Sequence, residues 1–134
     1  MLERLVQLES NVNRLEAMKR DYDLGDLSTS SLLEWAVRYG LIESIQIVID
    51  TACGLCNKNN LGAPRNYGDC LRLLQEFKYL SPELAGTLIR IVGLRNLLIH
   101  EYATIDNTRL YKFLDEQIGR ASWRERVYIW VVAG

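Results

Sequence analysis

Leu5, Leu8, Val12 and Leu15 recur at three- and four-residue spacing, with Glu3, Arg4, Glu9, Asn13, Arg14 and Lys19 mostly between them. The chain therefore opens on an amphipathic helix that should end near Tyr22. Residues 21–30 are rich in Asp, Ser and Thr and read as a loop. Ser31-Leu32-Leu33-Glu34 has the form of a capping box, in which the serine oxygen accepts from the third helical N–H and the glutamate reaches back. The helix that follows carries Trp35, Tyr39, Ile42, Ile45, Ile49 and Ala52 on one stripe, widened by Leu41, Ile47 and Val48. So broad a stripe is either deeply buried or shared with another subunit.

Residues 54–68 hold three glycines, Pro64 and several asparagines and form the longest irregular stretch. A helix should start around Tyr67 to Asp69, with Leu71, Leu74, Phe77 and Leu80 on its buried face. Ser81-Pro82-Glu83 supplies the next cap, first-turn proline and first-turn acid, each in a position helix starts favour. Leu84, Leu88, Ile91, Arg95 and Leu98 then share one stripe, so Arg95 stands where a leucine is expected. An unpaired guanidinium is expensive to bury, which directs Arg95 to a polar cleft, a partner or an interface. Residues 103–105 break the pattern. Asp106 is placed as the next N-cap, Ile105 can staple against Leu110, and Leu110, Phe113, Leu114 and Ile118 mark a last, shorter helix. The predicted fold is all-α, an up-and-down bundle of four main helices plus a short fifth.

At 134 residues the chain is one domain by length, placed at residues 1–118. From Gly119 the text changes: residues 119–134 hold two of the three tryptophans and an apolar, strand-like end, and read either as translated vector sequence or as a genuine C-terminal element. No run approaches the ~20 consecutive apolar residues that span a bilayer, and Met1-Leu2-Glu3-Arg4 lacks a signal-peptide pattern, so the expectation is a cytoplasmic protein with no membrane partner. Cys53, Cys56 and Cys70 are odd in number, which argues against a disulfide framework. Cys53-Gly54-Leu55-Cys56 has C-x2-C spacing, but neither a second such pair nor an H-x3-H follows, so free thiols are expected in place of a metal site. Net charge is −1, and because Arg120, Arg124 and Arg126 outnumber Glu125 in the tail, residues 1–118 carry −3. Bulk charge does not mark a nucleic-acid binder. Any attraction to RNA must be local, around Arg95, Arg65, Arg72 and Arg90, or doubled by a second subunit.

The chemistry concentrates in Arg95-Asn96-Leu97-Leu98-Ile99-His100-Glu101-Tyr102, which contains the only histidine. A fixed cation, a neutral amide, a group titrating near neutrality and a phenol lie within eight residues, a set suited to phosphodiester chemistry. His100 is four residues from Asn96 and shares its helical face, so Asn96 can orient the imidazole. Arg95 and His100 are five apart, about 140° on an ideal helix. They converge only if the helix ends or bends between them, or if a second subunit supplies the other half.

Arg95, His100 and Tyr102 spell R-x4-H-x-Y, and with Asn96 and the Ile105-Asp106 that follows, the stretch resembles the motif of HEPN-domain ribonuclease toxins, most closely the HepT branch. The resemblance covers residues 1–118. It implies a homodimer whose two motifs flank one cleft, and the toxin of a type VII-like toxin–antitoxin system acting as a metal-independent endoribonuclease on RNA such as tRNA or mRNA. His100 and Arg95 would be the catalytic residues and Asn96 and Tyr102 supporting ones, with no cofactor and no metal. It further implies a minimal nucleotidyltransferase antitoxin as partner, transferring AMP from ATP to Tyr102. Two other classes stay open: a non-catalytic helical binding or dimerisation module, and a nucleotide-binding domain, the latter weakened by the lack of a phosphate-binding glycine loop.

Overall fold

A computed structural model describes residues 2–100 and 107–113, and every element in them is a helix: α1 (Leu2–Asp21), α2 (Leu24–Thr29), α3 (Ser31–Lys58), α4 (Tyr67–Glu76), α5 (Pro82–His100) and α6 (Asn107–Phe113). The all-α bundle expected from periodicity is what the chain builds. α3 lies at its centre, with α1, α2, α4 and α5 packed on it, α4 against α5, and α6 against α2. Val37, Leu41, Ile45, Ile47, Val48, Ile49, Ala52, Leu55 and Cys56 of α3 are all buried, which wraps the apolar surface around most of the helix. By length and composition alone α3 could cross a bilayer, contrary to the expectation from apolar runs, yet more than half of its apolar window is buried inside the bundle. That burial marks it as a core helix.

The segment read as a loop over residues 21–30 contains α2. Asp23 caps it by accepting from the Asp26 N–H at 2.9 Å, and Asp26 accepts from the Asp23 N–H at 2.9 Å, a closed capping box. Leu27 supplies the buried anchor. Two acids three apart fix both ends of the first turn, a pattern that loop-like composition hides. The N-cap of α3 is Ser30, one residue before the expected position, accepting from the Leu33 N–H at 3.2 Å. Glu34 does not reach back to close a box. It pairs instead with Arg38 one turn on, at 3.0 Å, and Arg38 is almost fully enclosed.

The cysteine expectation is also corrected. Cys53 on α3 and Cys70 on α4 form a disulfide with their Cα atoms 5.2 Å apart, and Cys56 is free, buried, and directed at the Cys70 carbonyl at 3.2 Å. Packing of α4 on α3 brings the pair within bonding reach across a sequence separation of 17, which an odd count cannot reveal. Burial pushes the Cys56 thiol above its ordinary pKa, as desolvation of a thiolate must.

Not all of the α3 stripe is inside. Trp35 and Tyr39 are each 66% exposed, with Leu32 beside them at 77%, so the start of the stripe faces outward while Ile45, Ile49 and Ala52 fill the core. Phe77, expected on the buried face of α4, is half exposed at the C-cap. Ser81 caps α5 as expected, accepting from the Leu84 N–H at 3.2 Å. Leu110 of α6 is fully buried. Asp106, Ile105, Leu114, Ile118 and residues 119–134 lie outside the described residues.

α1 and α3 are joined by polar as well as apolar contacts. Buried Asn11 donates to Glu43 at 2.8 Å, Gln7 donates to Asn11 at 2.8 Å and to Glu43 at 3.4 Å, and the Tyr39 hydroxyl also donates to Glu43. The Asn11 hydrogen bond first, then that of Tyr39, hold the Glu43 carboxyl below its ordinary pKa. A depressed folded-state pKa stabilises the fold above the unfolded carboxylate value, and the contribution is lost as pH falls through the lower folded value. Glu43→Gln should therefore melt at a lower temperature than wild type at neutral pH, with the gap closing in acid. A gap that does not change between neutral pH and about pH 3 would show that Glu43 packs without acting as a charge.

Candidate functional site

The site is built at the C-terminal half of α5, against the first turn of α4. Leu84, Leu88, Ile91 and Leu98 are buried and lock α5 onto the bundle, and Arg95 continues the same stripe as the one half-buried cation in it. Its aliphatic stem takes the leucine's place. Its head meets the α4 N-terminus, where the Arg95 Cζ lies 5.3 Å from the centroid of the Tyr67 ring. Nη1 of Arg95 donates to the Asn96 Oδ1 at 3.3 Å, and the enclosed Nε has no hydrogen-bond partner among the described residues.

Tyr67 owes its place to the way α4 begins. Asn66 is the N-cap, accepting from the Asp69 N–H at 2.9 Å, and Asp69 in turn accepts from the backbone N–H of Arg65 at 3.1 Å and from Arg72 Nη1 at 2.8 Å. The first helical residue is thus fixed by hydrogen bonds on both sides. One turn later Cys70 is bonded to Cys53.

The expected residues are brought together only in part. Arg95 and Asn96 touch, so the neutral amide engages the cation; Asn96 makes no hydrogen bond to His100 among the described residues. His100 is exposed and is the last residue of α5, which runs as an unbroken α-helix from Pro82. The helix is unbroken between Arg95 and His100, and ideal helix geometry then sets the two side chains ~140° apart around its axis. Tyr102 lies outside the described residues. Arg65, Arg72 and Arg90 are exposed; Arg72 is paired with Asp69, and Arg90 donates to Thr87 at 3.2 Å. The open grooves along α1 and between α1 and α3 contain neither Arg95 nor His100. Among the described residues no group of His, Cys, Asp and Glu is arranged to hold a metal ion. Tyr67 is the site residue that sequence reading missed, since it belongs to another helix and carries no spacing relation to the motif.

The described bundle thus carries an arginine, an asparagine and a terminal histidine on one late helix. The family model described as ribonuclease HepT-like matches residues 8–122. The chain belongs to the HepT-like ribonuclease family. Its fold is that of the tri-AMPylated Shewanella oneidensis HEPN toxin solved in complex with an MNT antitoxin, with a TM-score of 0.87 at 19% identity over 99% of this chain and 96% of that one. A tyrosine-to-alanine mutant of the MntA–HpeT toxin–antitoxin pair gives 0.85 at 19% identity, covering 99% and 98%. The cytosolic protein YutE from Bacillus subtilis, of unknown function, is more distant at 0.66 and 16% identity, covering 95% and 85%. No curated protein matches the chain in sequence.

Proposed function

We propose that this protein is the toxin of a type VII-like toxin–antitoxin pair, a cytoplasmic, metal-independent endoribonuclease whose cleavage is carried by Arg95 and His100. The observation that carries the reading is the state of Arg95. A cation set into the apolar stripe of α5 is held by an aromatic ring and an amide, and no carboxylate reaches it among the described residues. Its charge is left for an anion. In the proposed reaction a ribose 2′-oxygen attacks the adjacent phosphorus while its proton passes to a base, and the P–O5′ bond breaks as the leaving oxygen gains a proton. The products are a 2′,3′-cyclic phosphate and a 5′-OH. His100 serves the proton transfers, worth about 10²–10⁴-fold. Arg95 stabilises charge on the non-bridging oxygens as a permanently ionised, forked donor, and Asn96 steadies it. Purified protein given total cellular RNA in EDTA should cleave it, and Arg95→Ala and His100→Ala should each reduce cleavage by about a hundredfold or more without loss of helical circular dichroism. Full activity in folded His100→Ala would end the ribonuclease reading.

The unclosed angle between Arg95 and His100 supports a homodimer, in which two motifs line one cleft and double its local positive charge. Sedimentation equilibrium should give a dimer at micromolar concentration. A stable monomer that still cleaves RNA would show that one motif suffices.

The partner proposed is a minimal nucleotidyltransferase, consistent with the antitoxin-bound toxins that share the fold. The Tyr102 oxygen would attack the α-phosphorus of ATP, pyrophosphate would leave, and the phenolic proton would pass to solvent. A bulky anion two residues from His100 would occupy the cleft and repel phosphate. Co-expression followed by intact-mass measurement should show added AMP units in wild type and none in Tyr102→Phe. Adducts that persist in Tyr102→Phe, or neutralisation without a mass change, would overturn this step alone.

One observation favours a second reading, a non-catalytic binding module: the outward Leu32, Trp35 and Tyr39 of α3. Under it, His100→Ala would change assembly and RNA would stay intact in wild type.

A further inference from the structure

We propose that Tyr67 is a positioning residue for the ribonuclease site, acting through Arg95 by stacking its ring against the guanidinium; this rests on the ribonuclease reading above. An arginine side chain has several rotatable bonds and loses considerable entropy when held in one place, so a catalytic arginine needs something to hold it. The usual holder is a carboxylate. A carboxylate would also cancel the charge and occupy the donors that a phosphate has to reach, leaving the site with a salt bridge where it needs a free cation.

The structure answers with neutral holders. Tyr67 sits 5.3 Å from the Arg95 Cζ, inside the range over which a ring face attracts a cation. A ring fixes the head of the side chain while leaving the edge N–H groups free to form a fork. Asn96 takes one Nη1 hydrogen at 3.3 Å, a long bond that a phosphate oxygen can displace. The ring is itself fixed at its root: Asn66 caps the helix it begins, Asp69 ties down Arg65 and Arg72 on either side, and the Cys53–Cys70 disulfide joins the next turn of α4 to α3. At 38% exposure Tyr67 lies at the surface and outside the buried core, so core packing does not account for an aromatic there. Its hydroxyl makes no hydrogen bond among the described residues, which leaves the ring as the part that acts on Arg95.

The test compares Tyr67→Phe, which keeps the ring, with Tyr67→Leu, which keeps apolar bulk without it, each alone and in an Arg95→Ala background. Tyr67→Phe should cleave RNA within about twofold of wild type, whereas Tyr67→Leu should lose about three- to thirtyfold in kcat with KM little changed, since the contact acts on charge that develops in the transition state. In the Arg95→Ala background Tyr67→Leu should cost nothing further, because the residue through which it acts is gone. Full activity in Tyr67→Leu, equal loss in Tyr67→Phe, or a further loss on top of Arg95→Ala would each overturn the proposal, the last by showing that Tyr67 meets the RNA directly. A readout independent of activity separates this from failure of the ribonuclease reading. Ring-current shifts of the Arg95 side-chain protons should be present in wild type and Tyr67→Phe and absent in Tyr67→Leu. If they are absent in wild type, the stacking is wrong even where RNA is cleaved; if they are present in a protein that cleaves no RNA, the parent reading fails and the contact stands.

Discussion

The fold depends on removing α3 from water. Its buried residues fall on faces that α1, α2, α4 and α5 each cover in turn, so no neighbour can be withdrawn without exposing part of the same apolar surface. Such burial is worth roughly 25 cal/mol per Å² of apolar surface, and a leucine such as Leu41 cut back to alanine typically costs about 2–5 kcal/mol. The polar groups that do enter this core come with partners, as Arg38 does with Glu34 and Thr51 with the Ile47 carbonyl. The same constraint places the site: α5 and α4 meet each other because both must lie on α3.

Where those two helices meet, the electrostatic logic inverts that of the core. Arg38 is enclosed and matched to an acid. Arg95 is half enclosed and matched to a ring and an amide. The first arrangement spends its charge on structure, whereas the second keeps its charge in reserve at a modest desolvation cost, because the stem is buried and the head is not wholly so. An overall charge of −1 therefore does not by itself exclude a local site for an anion. What counts is the charge left uncancelled at one place.

The sequence was most legible where a local rule acts alone. The end of α1, the start of α4 at Tyr67 and the Ser81 cap of α5 each follow from residues within a few positions of one another. It was less legible where two local rules competed. Ser30 and Ser31 are both competent caps, and Glu34 could reach back or forward; burial of Arg38 drew it forward. α2 was hidden because a short helix with one buried leucine has no period to detect, and its existence depends on α3 being there to receive Leu27. The outward turn of Trp35 and Tyr39 could not be read from a stripe whose apolar residues continue without change into the core. At the site, Arg95, Asn96 and His100 could be chosen by their chemistry within one window, but the partnership with Tyr67 and the Cys53–Cys70 bond are products of the packing of α4, which no spacing rule encodes.

The order of the helices along the chain has a consequence during synthesis. α1, α2 and α3 leave the ribosome first and can close on one another, α4 follows, and α5 arrives after the helices on which it packs have been made. Arg95 and His100 are therefore made after α3 and α4, on which their helix packs. A nascent or prematurely terminated chain that stops before α5 has most of the hydrophobic framework and lacks Arg95, Asn96 and His100 altogether.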